Sequence, residues 1–508
     1  MSWAHPGQKL LPWLLAIAWM GVPMRAAAEP PRLFGLVVGY NGSDDSTQAP
    51  LRYADDDAIK NAQLLKDLGA DYVLLTDIDP DTARLYPGLE STLPTHNSLA
   101  TAITRLNERM AAPENVGRAH HLFVFYAGHG DVSQNEGFVH LADGHLTRSD
   151  FRELLSASKA TVRHVIIDAC KSYFLVFDRG PGGERRPALG QMPNETGSFP
   201  KNTGFLLSTS SAADTHEWEA FQSGVFSHEV RSALRGAADL EGDGKISYEE
   251  AAAFVHMANR TIPNARYRPQ VFARAPEGGA LSKATIIDTG DRSQSRLRVG
   301  PGVNQHLYVE DGRGTRISDL HPSPDVVVDL VLPPNRPVFV RAPKTDWEYE
   351  VQEAGLVLLA SLSPHTADAT TRGAEHVAFS LLFNESYGTS SIAQYNADCE
   401  LMASTSPKTV WPPTWLSNTL LVGTGAFAAS GGLFTALAIS ERNKVKEDAS
   451  NRSRIATNDR IDRHNTGAVV LYSLAATTLA TYVILKLWPE DEVRVEVAAP
   501  VLPGGEAK

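Results

Sequence analysis

Two short segments carry the side chains most able to do chemistry. Tyr126-Ala127-Gly128-His129-Gly130 follows directly on the apolar run Leu122–Phe125, and Asp168-Ala169-Cys170 follows on Val165–Ile167. A buried strand ending in a His-Gly turn, and another 41 residues later ending in Asp-Ala-Cys, would bring imidazole and thiol to one edge of a parallel sheet. That pairing suits covalent catalysis, because a thiolate attacks while a nearby base manages its proton. Glycine on both sides of His129 lets the chain turn tightly and leaves the ring uncovered. Taken singly, His129 could be a hydrogen-bonded structural histidine and Cys170 a small buried hydrophobe.

The surrounding pattern supplies the elements that must position the pair. Leu33–Tyr40 reads as a fully buried strand, followed by a helix from Tyr53 to about Leu68 whose first turn holds Asp55, Asp56 and Asp57. Strands at Tyr72–Thr76, Leu122–Tyr126, Val162–Ile167 and Gly204–Ser208 alternate with helices at Asn97–Met110 and Ser149–Ser156. Such alternation means βαβ units and a mostly parallel sheet with helices on both faces. Reactive groups collect at the carboxyl ends of these strands.

The two motifs resemble those of the caspase and metacaspase superfamily of cysteine peptidases. The family's His motif reads Tyr-Ser-Gly-His-Gly or close to it and differs here only in Ala127; its Asp-x-Cys or Gln-Ala-Cys motif matches Asp168-Ala169-Cys170. Lys171-Ser172-Tyr173 stands where many relatives place a Gly. The resemblance covers residues 32–275 and implies a caspase-like α/β fold acting on protein or peptide substrates, with no cofactor required for the chemistry. It implies that Cys170 attacks, that His129 handles the proton, and that the N–H groups of Gly130 and Cys170 form the oxyanion hole. It also implies a first specificity pocket with carboxylates at Asp168 and Asp57, and hence cleavage after Arg or Lys. Animal caspases use arginines there to hold aspartate, and Arg52, the nearest candidate, is out of register. Asp168 could equally be a strand-end residue bonding local backbone, and Asp57 a solvated helix N-terminus. Relatives are often matured by cleavage after the nucleophile strand, where this chain offers Arg179, Arg185 and Arg186, the last followed by Pro187.

A second motif, Asp239-Leu240-Glu241-Gly242-Asp243-Gly244-Lys245-Ile246-Ser247-Tyr248-Glu249-Glu250, fits a twelve-residue EF-hand loop. Asp239, Glu241, Asp243, Ser247 and Glu250 would give side-chain oxygens to Ca²⁺ and Lys245 its backbone carbonyl. A plain turn with a capping box, Ser247 with Glu250, explains the same residues without metal.

At 508 residues the chain should divide into several units. Its net charge of −12, with no long basic stripe, argues against nucleic acid as a partner. It has two cysteines, Cys170 and Cys399, too few for a disulfide scaffold, and a bridge between them would silence the proposed nucleophile. Residues 1–28 read as an export signal, or as an uncleaved anchor, given Arg25 near the cleavage point. Residues 280–393 show short alternating runs suited to a small antiparallel β domain, and 394–414 a polar linker. The apolar segments 415–439 and 466–488 are each long enough to cross a bilayer, with small residues along the first for close packing. The loop between them carries Arg442, Lys444, Lys446, Arg452, Arg454, Arg460 and Arg463, which places it in the cytoplasm. The acidic tail 489–508 and the His/Cys domain then face the extracytoplasmic, periplasmic side of a bacterial membrane. The alternative of another class is a catalytically silent caspase-fold platform that binds proteins at the membrane.

Overall fold

The computed structural model describes residues 29–487 apart from 45–49, 134–135, 177–189, 192–198, 210–223, 263–267, 277–278, 291–294, 335, 353, 368–378, 380–381, 406–413 and 445–450. The expected export signal, the loop with Arg179, Arg185 and Arg186, and the acidic tail lie outside the described residues.

In chain order the first half runs β1 (Arg32–Tyr40), α1 (Ala54–Asp67), β2 (Asp71–Thr76), α2 (Pro80–Leu85), α3 (His96–Met110), β3 (His120–Gly128), β4 (Gly130–Ser133), β5 (Glu136–Leu141), β6 (Gly144–Thr147), α4 (Arg148–Ala157), β7 (Val162–Asp168), α5 (Tyr173–Val176), β8 (Gly190–Gln191), β9 (Thr203–Thr209), α6 (Val225–Ser232), β10 (Lys245–Ser247), α7 (Tyr248–Asn259) and β11 (Gln270–Arg274). The central sheet has the order β2-β1-β3-β7-β9-β11-β8. Pairing from β2 through β9 is parallel, and β11 joins β9 antiparallel. The five strands read from the sequence are all present. β11 carries too short an apolar signal to stand out, and the small sheet β4-β5-β6 was not anticipated.

Apolar side chains leave the sheet on both faces, as parallel strands covered by helices require. Phe34, Leu36, Val124 and Ile167 pack against α3 and α4 on one side, whereas Val37, Phe123, Phe125 and Ile166 meet α1, α6 and α7 on the other.

Strands β12 (Thr285–Asp288), β13 (Arg296–Val299), β14 (Leu307–Asp311), β15 (Arg316–Leu320), β16 (Val328–Val331), β17 (Val338–Ala342), β18 (Trp347–Val351), β19 (Leu356–Leu358) and β20 (His365–Thr366) follow. β12 pairs antiparallel with β10, and the rest form sheets of order β16-β13-β19 and β15-β14-β17-β18-β20, antiparallel except for β13 with β19. Their buried side chains, among them Leu297, Val309, Leu330 and Val340, are continuous with the core under α6 and α7. Gly236, at φ +115°, ends a π-helical turn after α6 and lets the Asp329 backbone of β16 come where a side chain would stand.

Two expectations change beyond this point. The stretch read as a polar linker begins in a helix, α8 (Thr389–Thr405), which docks on α7 through His256–Asp398 at 2.9 Å and Asn396–Glu249 at 3.0 Å. Its buried residues Tyr395 and Cys399 are spaced one turn apart, a signal diluted by the surrounding polar residues. Helices α9 (Thr414–Asn443) and α10 (Asn451–Leu487) then form a hairpin. α10 begins well before the apolar stretch, so Arg452, Arg454, Arg460 and Arg463 lie on its first turns and not in a loop. Packing of α9 on α10 uses Gly431 beneath the Tyr472 ring and Gly467 beneath the Phe434 ring; Gly423 and Gly425 face open space.

Candidate active site

Strand register places the two motifs side by side. β3 and β7 run parallel with Ala127 opposite Asp168, so His129 and Cys170 each lie two residues beyond one paired rung, at the carboxyl edge of adjacent strands. Both are partly exposed. A Cβ on Gly130 would lie 2.5 Å from the Cys170 carbonyl oxygen and 3.1 Å from the Ala169 Cβ. The second motif glycine is therefore required by the close approach of the two turns.

The remaining motif residues hold the turn. The buried Tyr126 hydroxyl donates to the carbonyls of His129 (3.0 Å) and His140 (2.8 Å), and the His140 N–H donates to the His129 carbonyl (3.1 Å). Burial raises the Tyr126 hydroxyl, which keeps it a donor. A Cβ on Gly128 would fall 2.5 Å from that hydroxyl oxygen. β4 starts at Gly130, so His129 sits at the joint between the central sheet and the β4-β5-β6 sheet.

The same small sheet reaches the turn after Cys170. Lys171 adopts φ +55° and its Nζ lies 2.6 Å from Asp131 of β4. Gly137 of β5 fits against the backbone of Phe174, where any side chain would overlap. The Ser172 hydroxyl donates to the Ser208 carbonyl of β9. Neither cysteine is in a disulfide, and burial first of all pushes the Cys399 thiol up to about 11, which leaves it unreactive.

The carboxylates named for the specificity pocket also meet. Asp57 is buried, not the solvated helix end its position would allow, and its Oδ1 lies 3.0 Å from Nη1 of Arg231 on α6. Asp168 Oδ2 accepts from the backbone N–H (3.1 Å) and hydroxyl (2.7 Å) of Ser227, also on α6. Burial, followed by the charge of Asp57, pushes the Asp168 carboxyl up to about 6, against the opposing hydrogen bonds of Ser227 and the charge of Arg231. Gly224, at the start of α6, leaves no room for a side chain beside the Asp57 carboxylate. Arg52 is exposed.

Sequence reading missed α6 as part of this site. All eight of its residues are buried although five are polar or charged. His228 Nε2 meets Asp319 of β15 at 2.7 Å, and Asp319 is further paired with His306 at 2.5 Å and doubly with Arg316, while its N–H donates to the Ser232 hydroxyl. Burial alone would raise Asp319, yet Arg316 and the two histidines hold it well below the carboxylate range. The available signal was the density of Ser, His, Glu and Arg in an amphipathic helix, Ser227-His228-Glu229-Val230-Arg231-Ser232.

The Asp239–Glu250 segment forms a loop ahead of α7. Asp239 is buried and accepts from the N–H groups of Gly242 (2.8 Å) and Gly244 (2.9 Å). Asp243 accepts from Lys245 N–H at 2.8 Å, and Glu250 from Leu240 N–H (3.1 Å), Ser247 N–H (2.8 Å) and the Ser247 hydroxyl (2.7 Å). Ser247 and Glu250 thus make the capping box of α7. Among the described residues, neither Asp239 nor Glu250 has a cationic side chain within ion-pair distance, and burial raises both. Glu241 and Lys245 are exposed.

Residues 34–273 match the family model for the caspase domain. The chain therefore carries a caspase domain in its first half. Among solved structures it is similar to the initiator caspase Dronc of Drosophila, at 9% identity over 50% of this chain and 81% of that one, with a TM-score of 0.31. It is also similar to caspase-1 from Spodoptera frugiperda, at 12% identity over 47% and 83% of the respective chains, TM-score 0.26. No curated protein matches it.

Proposed function

We propose that this chain is a membrane-anchored cysteine endopeptidase that cleaves after Arg or Lys. The observation that carries the reading is the β3–β7 register, which sets His129 and Cys170 at equal height on neighbouring strand ends. Cys170 Sγ attacks the scissile carbonyl carbon, and the C–N bond breaks as His129 gives a proton to the leaving amine. Water then cleaves the thioester and returns the thiol. The N–H groups of Gly130 and Cys170 polarise the carbonyl oxygen, the step in which such sites gain most.

Preference for a basic residue rests on charge. Asp57 and Asp168 together hold two carboxylates against the single guanidinium of Arg231. The excess negative charge suits an arriving guanidinium or ammonium. The pairing of Arg231 with Asp57 equally supports the alternative of a silent binding platform, because it occupies one of the two carboxylates. A panel of fluorogenic Arg, Lys and Asp peptides, with Cys170→Ala as control, separates the readings: hydrolysis confined to Arg and Lys peptides and lost in the variant supports the first, and no hydrolysis of any peptide removes it.

Anchoring rests on the two C-terminal helices, whose spans Thr419–Asn443 and Arg452–Val483 are long and apolar enough to cross a membrane and have few buried residues. The basic residues at the turn end of the hairpin, among them Arg442, Lys444, Arg452 and Arg454, favour the cytoplasm for that end and leave the caspase domain outside, in the periplasm of a bacterial cell. Protease accessibility in spheroplasts tests the orientation. Ca²⁺ in the Asp239–Glu250 loop is supported by two buried, mutually repelling carboxylates whose hydrogen-bond partners among the described residues are N–H and O–H donors. Calorimetry should show heat with Ca²⁺ that Glu250→Gln removes.

A further inference from the structure

We propose that Asp44, His140 and His145 form a binding site for a divalent transition-metal ion of the zinc type, beside the His129 turn. β5 and β6 pair antiparallel with His140 directly opposite His145, which puts both imidazoles on one face of the hairpin. Asp44, in the segment after β1, reaches across to both. Its Oδ1 lies 2.8 Å from His140 Nδ1 and its Oδ2 2.8 Å from His145 Nε2. One ligand atom from each residue falls within 4.8 Å of the others, and among the described residues no second group of three does so.

Burial separates this cluster from an ordinary surface carboxylate with histidine neighbours. His140 is 2% exposed, and its Nε2 has no hydrogen-bond partner. The ring nitrogen that faces Asp44 is Nδ1, which supplies the ligand atom, while Nε2 lies outside the donor set. Phe138 stacks on the His145 ring at 3.9 Å and meets the His140 ring edge-on at 5.3 Å, so both rings are fixed before any ligand arrives. Asp44, by contrast, has 57% of its side chain exposed, which leaves an entry path and a movable third donor.

The donor set selects the ion. Two imidazole nitrogens and one carboxylate suit zinc and its neighbours, whereas Ca²⁺ and Mg²⁺ want oxygen ligands. Zinc bonds of about 2.0–2.1 Å put tetrahedral donors about 3.3 Å apart. The Asp44 carboxylate need withdraw only about 0.5 Å from the imidazoles to admit the ion, leaving a fourth position for water. Occupation would tie the segment after β1 to the β5–β6 hairpin. The His140 ring lies 6.0 Å from the His129 ring and the His140 backbone N–H holds the His129 carbonyl, so the ion would brace that turn.

The test is binding, independent of peptidase activity. Tag-free full-length Cys170→Ala protein in detergent, which removes a competing thiolate, is titrated with Zn²⁺ by calorimetry and with Co²⁺ by visible absorption. One equivalent should bind and raise the melting temperature. Adding His145→Ala, or the isosteric and exposed Asp44→Asn should the first disturb folding, should weaken binding at least tenfold and abolish the thermal shift. Unchanged affinity in both variants, or loss of the site in Cys170→Ala alone, would overturn the proposal.

Discussion

His129 and Cys170 stand on open strand ends, partly exposed, and are held through their own backbone: the His129 carbonyl accepts from the Tyr126 hydroxyl and the His140 N–H, and Gly130 packs against the Cys170 carbonyl. Asp57 and Asp168 lie in a closed region, and side chains hold them: Arg231 and Ser227 of a helix that is polar yet buried throughout. The first region depends on strand register and on glycines that admit close contact. The second depends on charge balance in a low-dielectric setting, where removing one partner leaves the other uncompensated. α6 also joins the second region to the β domain through His228 and Asp319. We expect the first to respond to substitution in rate and the second in stability, pH dependence and specificity.

Cys170→Ala should give the largest effect, a loss of hydrolysis of at least about 10³-fold with stability changed by less than about 1 kcal/mol, since only the sulfur is removed, at a partly exposed site. Progress curves and thermal melts of the same preparation check both halves. A melt that collapses with the rate would dissolve the contrast between the regions.

Arg316→Met strikes the closed region at its far end. Asp319 is fully buried and would keep only histidine partners, so unfolding should become easier by about 3–5 kcal/mol. Denaturant melts measure it, and a change below about 1 kcal/mol would mean that the network contributes little.

Asp168→Asn should act with a definite sign in pH. The folded carboxyl lies at about 6 against an ordinary 3.8, so its contribution to stability is full below about pH 4 and is lost as pH rises through 6. The variant does not titrate there. It should match the parent near pH 4 and exceed it above pH 6, by about 3 kcal/mol at most, while losing its preference for Arg and Lys peptides. Parallel melting curves at the two pH values would contradict the buried-carboxyl assignment.

The smallest effect is expected at the open edge. Lys171→Gly relieves a left-handed backbone worth about 1 kcal/mol and loses a half-exposed pair with Asp131 worth about 0–1 kcal/mol. These oppose each other, so stability should change by less than about 1 kcal/mol. A larger loss would show that the pair holds the Cys170 turn.

Much of the open edge was legible because its determinants are local. An apolar run predicts a buried strand, and the His-Gly and Asp-Ala-Cys turns sit where those runs stop. Asp57 and Asp168 could be named by resemblance, but their partners could not. Arg231 lies 174 residues from Asp57 and Ser227 lies 59 from Asp168, and no periodicity links them. Helix α8 was hidden for a related reason, since its apolar contacts are sparse and its docking is polar.

The sequence alone settled the strand–helix alternation, the two motif turns and the apolar C-terminal helices, because each follows from the chemistry of neighbouring residues. Tertiary structure decided that a polar helix would be buried, that its Arg231 and Ser227 would meet the two carboxylates, and that Asp44 would reach His140 and His145 across the hairpin. Those pairings depend on which surfaces the packed core brings together, and burial sets their strength by removing the water that would otherwise solvate each charge.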